Sequence, residues 1–164
     1  MGTLRHKLIR RESERRLAAA KLLKDTGDDT DSAYLLDLLA FELLLKLLVE
    51  ITTQSPAPTH HFYEKIFVTL PDHVQTDILR LAGERVGPSA LKTDHLGVLR
   101  DLGSNFVQLR YPYEKYSHMS EAEYDEVGAK WMTAGADNAA ADFRYHPEEL
   151  LGLTAGLRNL TDGC

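Results

Sequence analysis

Residues 32–51 read SAYLLDLLAFELLLKLLVEI, and this stretch limits the fold more than any other. Its residues are mostly good helix formers, and apolar side chains cover nearly the whole circumference of a helix built on it. A helix apolar on all sides has to be surrounded, so this segment is expected to be the central buried helix of the domain. It also carries Asp37, Glu42, Lys46 and Glu50, too many charges for a membrane span.

The rest of the chain supplies the surrounding helices. Residues 4–24 place Leu4, Leu8, Leu17, Ala20 and Leu23 among Arg, Lys, Glu and Ala, which predicts a first helix. Gly27 suits the C-terminal cap of that helix, and Asp31 or Ser32 the start of the next. The prolines of TTQSPAP, residues 52–58, end the apolar helix. A third helix is expected from Thr59 or His60 to about Val68. Pro71 opens a fourth over 72–86, which Gly87-Pro88 closes. Leu96, Leu99, Leu102, Phe106, Val107 and Leu109 give residues 92–109 an amphipathic pattern. Ser120 and Glu123 have the form of a capping box for a helix at 121–134, and Pro147 starts a last helix over 147–160. No period-2 strand and no repeat is present. A chain of 164 residues reads as one domain, an all-α up-and-down helical bundle with mostly short connections.

Charge is unevenly placed. Residues 1–24 hold eight basic residues against two acidic ones, a net +6, and the remainder eleven against twenty-three, a net −12. A basic first helix on an acidic body either meets nucleic acid, or docks on that body or is simply a solvated face, and an acidic chain overall favours the latter two. The N-terminus has no apolar core of a signal peptide, and the one cysteine, Cys164, excludes an intramolecular disulfide. The expectation is a soluble cytoplasmic protein. His60-His61, His73, His95 and His146 make no metal-ligand spacing, and Asp28–Asp31 lacks the Gly and closing Glu of a calcium loop, so neither a metal nor a cofactor is expected. Trp131 is expected in the core or at an interface.

Two places carry candidate chemistry. Glu42 and Lys46 stand four apart on one face of the apolar helix, in the favourable order, and charges in such surroundings need partners. The second place is QLRYPYEKYSH at 108–118. Its Arg110 could bind Glu42 bidentately or pair with Glu114, leaving Lys46 for the other carboxylate. Pro112 disfavours helix at Tyr111, so a kink or loop is expected there. Glu42, Lys46, His61, Tyr111, Tyr113 and Glu114 are therefore grouped with Arg110 as a binding or structural polar network. The pattern favours Arg110 turned inward to Glu42 and Glu114.

Three stretches in this order, AYLLDLLAFELLLKLLVE at 33–50, THHFYEKIFVTLP at 59–71 and FVQLRYPYEKYSH at 106–118, resemble the HEPN family (higher eukaryotes and prokaryotes nucleotide-binding). The resemblance covers 33–118. It implies a HEPN-like helical bundle that dimerises, associates with RNA or a nucleotide, and serves prokaryotic defence, stress or toxin–antitoxin systems with an antitoxin or other protein partner. Active members are metal-independent endoribonucleases. They carry an arginine that stabilises phosphate charge and, after four to six intervening residues, a histidine that moves a proton. Arg110 matches the arginine. His118 is the nearest downstream histidine, with seven residues between them. On an unbroken helix that separation turns the side chains about 80° apart and about 12 Å along the axis. The alternative is a non-catalytic binding or assembly module in which the same residues are structural.

Overall fold

The computed structural model describes residues 3–162, so Cys164 lies outside the described residues. Eight α-helices occur among them, and no strand. α1 is Leu4–Asp25, α2 Ser32–Thr53, α3 Tyr63–Phe67, α4 Asp72–Val86, α5 Leu91–Gln108, α6 Pro112–Tyr116, α7 Glu121–Thr133 and α8 Pro147–Asp162. None is long and apolar enough to cross a membrane.

The apolar α2 lies at the centre. Leu38, Phe41, Leu44, Leu45, Leu47 and Leu48 are almost wholly buried, each such side chain contributing about 1.5–3 kcal/mol by leaving water. α1, α8, α3 and α5 pack around it, and α4 packs chiefly on α8. α8 meets α4 through Gly152 and Gly156, four residues apart. A Cβ at Gly152 would stand 3.0 Å from the Ala82 carbonyl oxygen, and one at Gly156 3.2 Å from that of Ile78. The two helices thus approach to backbone contact.

The basic α1 docks on the body within the chain. Its inner face is built from small residues, Ser13 and Ala20, while Leu4, Leu8 and Leu22 stay exposed. Arg158 Nε and Nη2 donate to Glu14 at 2.8 Å, Arg10 donates to the Thr161 carbonyl, and Lys24 pairs with Asp37. Arg5 donates through Nε to Glu50 Oε2 at 3.0 Å and through Nη2 to Oε1 at 2.9 Å. These bonds to Arg5 hold the Glu50 carboxyl below its ordinary value of 4.5, against the opposing effect of burial. A lowered carboxyl pKa stabilises the fold above the ordinary value and loses that effect as pH falls through the folded one. Arg5→Ala is therefore expected to cost about 1 kcal/mol at pH 7, discounted because Arg5 is mostly exposed, and less at a pH low enough to protonate the Glu50 carboxylate. Urea unfolding of both chains at the two pH values measures this; an equal deficit at both would contradict it.

Two local readings need correction. The third helix is five residues long rather than the stretch from Thr59 or His60 to Val68. His60 Nδ1 accepts the Phe62 amide at 3.2 Å, and Phe62 is extended, so 59–62 form a turn that delivers the chain to α3. α5 is broken near its start. Asp94 has φ −149° and ψ 59°, and its Oδ1 accepts the Gly97 amide at 2.9 Å, so it caps the long segment that follows. The break expected at Tyr111 is present: α5 stops at Gln108, Tyr111 turns with φ −136° and ψ 59°, and Pro112 is the first residue of α6. The capping box is present, with Glu123 Oε2 accepting the Ser120 amide at 2.7 Å and Ser120 Oγ accepting that of Glu123 at 3.3 Å.

Candidate functional site: a carboxylate–histidine pair beside Arg110

Glu42 sits on α2 among buried leucines with its side chain 7% exposed. Lys46, one turn on, donates to Oε1 at 2.8 Å. His61, from the turn before α3, brings Nδ1 to 2.8 Å from Oε2 and 3.0 Å from Oε1. A carboxylate only accepts, so Nδ1 carries the hydrogen. Tyr63, two residues on, is fully buried and donates its hydroxyl to the Leu38 carbonyl at 3.2 Å. Burial first, then the Glu42 charge, pushes its phenol well above its ordinary value, so it stays protonated.

The turn is held there by Gly103 of α5. A Cβ at this position would lie 2.6 Å from the His61 carbonyl oxygen and 3.2 Å from the Tyr63 amide nitrogen. With no side chain there, the His61 backbone lies directly on α5. The His61 ring then meets Phe106 edge-on, 5.2 Å between centroids.

Arg110 occupies the same aromatic platform. Its guanidinium carbon stands 4.6 Å from the Phe106 centroid and 5.8 Å from that of Tyr111, and Nε donates to the Phe106 carbonyl at 2.9 Å. Arg110 is exposed, and among the described residues it pairs with neither Glu42 nor Glu114. The inward arrangement favoured by the sequence is replaced, because Lys46 and His61 already fill the oxygens of Glu42 and Tyr111 directs the chain outward. Glu114 is exposed on α6. Tyr111 and Tyr113 meet edge-on at 6.2 Å, and Tyr113 borders a recess of about 430 Å³ with Pro112 and Tyr124.

His118 lies elsewhere, past α6. It lines a cavity of about 1040 Å³ between α7 and residues 138–147, with Trp131, Phe143, Arg144 and His146 also in its walls. Arg110 is not among the described residues that line it. Trp131 is half-buried there, its indole donating to the Asp137 carbonyl at 2.8 Å, rather than in the core. The segment beyond is tied to the body. His146 Nε2 lies 2.8 Å from Asp101, Asn105 donates to the Arg144 carbonyl at 2.8 Å, and Tyr145 donates to Asp31 at 3.1 Å. Burial and the Asp31 carboxylate push the Tyr145 phenol up to about 12.

Glu42, Lys46 and His61 are thus joined, and His61 and Arg110 both meet Phe106, with His118 apart. Sequence reasoning missed Phe106, Tyr63 and Gly103 as parts of this group. A glycine in the middle of an apolar helical face was the available signal for Gly103. Comparison of the chain with family models, curated proteins and solved structures finds no match.

Proposed function

We propose that this chain is a HEPN-like RNA- or nucleotide-associated domain with metal-independent endoribonuclease chemistry centred on Arg110. One observation supports the reading above the others. Arg110 is an exposed guanidinium without a carboxylate partner among the described residues, laid on an aromatic platform beside an oriented histidine. A guanidinium so placed can donate to phosphate oxygens, and exposed Tyr111 beside it offers a face for a base. The reading carries with it a cytoplasmic homodimer in a prokaryotic defence or stress system, with an antitoxin or other protein partner.

A second reading rests on the Glu42–Lys46–His61 cluster, which joins α2 to the turn before α3 as a structural tie would. In that case the domain is a non-catalytic binding or assembly module. Incubating the full chain with single-stranded RNA in EDTA separates the two. Cleavage is expected in the wild type. Arg110→Ala is expected to weaken RNA binding about tenfold, roughly 1.4 kcal/mol, and to remove cleavage. Its fold stability should stay within about 0.5 kcal/mol, because the residue is at the surface. RNA binding and cleavage both unchanged in Arg110→Ala would reject the arginine-centred site.

A further inference from the structure

We propose that the histidine serving Arg110 is His61, oriented by Glu42, and not His118. The inference rests on the Arg110-centred reading above and names the proton carrier of that site.

Three observations carry it. First, the imidazole is oriented as a base requires. Nδ1 donates to Glu42, which leaves the lone pair on Nε2, and no hydrogen bond among the described residues occupies that nitrogen. The His61 side chain is 37% exposed while the carboxylate behind it is 7% exposed, so the imidazole is open to solvent and Glu42 is mostly shielded. Lys46 balances the Glu42 charge. Second, His61 and Arg110 both contact one ring, that of Phe106. They stand 5.2 and 4.6 Å from the Phe106 centroid, so their separation cannot exceed the sum of those distances. His118 has no comparable tie to Arg110. It lies beyond α6, in the wall of the cavity beside α7. Third, Gly103 fixes the backbone of His61 on α5, the helix that leads to Arg110. His61 therefore packs against the helix whose C-terminal end carries the chain to Arg110.

The step balances without any further reactant but water. His61 Nε2 takes the proton from a ribose 2′-hydroxyl. The 2′-oxygen attacks the adjacent phosphorus, its new P–O bond forms and the bond to the 5′-oxygen breaks. Arg110 contacts the non-bridging oxygens, where charge accumulates. The leaving oxygen takes a proton from water, and His61 returns its proton to the hydroxide so formed. Glu42 stabilises the imidazolium while it exists, as a carboxylate behind a catalytic histidine does. The products are a 2′,3′-cyclic phosphate and a 5′-hydroxyl end.

The test uses the full chain in EDTA with single-stranded RNA, and a 2′-O-methyl RNA that binds but cannot cyclise. His61→Gln is expected to lose cleavage at least 100-fold, and His118→Ala to stay within about twofold. On adding the 2′-O-methyl RNA, the His61 imidazole resonances of the wild type should shift while those of His118 do not. Glu42→Gln should move the pH profile of cleavage, which a purely structural carboxylate would leave in place. Cleavage lost in His118→Ala and kept in His61→Gln overturns the inference and leaves the Arg110 site standing. Binding of 2′-O-methyl RNA that depends on Arg110, without cleavage of RNA by the wild type, overturns the proton-carrier role alone. No binding at all overturns both. Because the resonance shift is read on the wild type, a His61 variant that fails to fold does not remove the test.

Discussion

Replacing Gly103 by alanine is expected to destabilise the domain by about 3 kcal/mol, a fall of roughly 10 °C in the unfolding midpoint. Most glycine-to-alanine changes inside helices act the other way, since glycine is the poorer helix former by roughly 1 kcal/mol. Here the added Cβ would stand 2.6 Å from the His61 carbonyl oxygen and 3.2 Å from the Tyr63 amide nitrogen. Both are backbone atoms, and Tyr63 is wedged against Phe41 and Phe106, so neither can turn aside as a flexible side chain would. The turn must lift off α5, and His61 moves with it. Gly83→Ala in α4 is the control, because nothing lies within 4 Å of a Cβ there and the change should stabilise by up to ~1 kcal/mol. Thermal unfolding of the two variants with opposite signs is the expected pattern. Two equal shifts would contradict the close approach at Gly103.

The second large effect falls on Glu42. Glu42→Ala removes a carboxylate that satisfies both Lys46 and His61, and leaves a mostly buried ammonium behind. Breaking a buried pair from one side costs about 3–5 kcal/mol, and the partial exposure of Lys46 and His61 places this case near the lower end, about 3 kcal/mol. Removing both charges should behave differently. Glu42→Leu combined with Lys46→Leu extends an already apolar helix and should return to within about 1 kcal/mol of the wild type. Chemical denaturation of the single and double variants measures the coupling. If the double variant is stable but no longer cleaves RNA, the pair is kept for what it does to His61. A double variant as unstable as Glu42→Ala would show that the ion pair itself holds α2 in place.

The pattern of the sequence and that of the structure agree where the relevant physics is local. The apolar circumference of α2 requires burial, and α2 is buried. Pro71 and Gly87 bracket α4, Ser120 and Glu123 build the start of α7, and Pro147 begins α8, because each of these residues acts on backbone within a few positions. The i,i+4 pairing of Glu42 and Lys46 was legible for the same reason. What was not legible depends on distant neighbours. His61 reaches Glu42 across nineteen positions through a turn set by the His60 side chain, and no periodicity encodes that. The direction of Arg110 depends on the backbone of Tyr111 and on whether the oxygens of Glu42 are already taken. Both act through tertiary packing, which one residue type at one spacing cannot report.

The contacts of α1 with α8 have a kinetic side. Arg158 reaches back 144 positions to Glu14, and Arg10 reaches 151 positions forward to Thr161. α2 also rests on α8, with Leu153 and Leu157 wholly buried in the core. On the ribosome, the leucine-lined flank of α2 therefore stays uncovered until the α8 segment has left the exit tunnel. The nascent chain carries an adhesive surface until then, and closing the bundle is a long-range event.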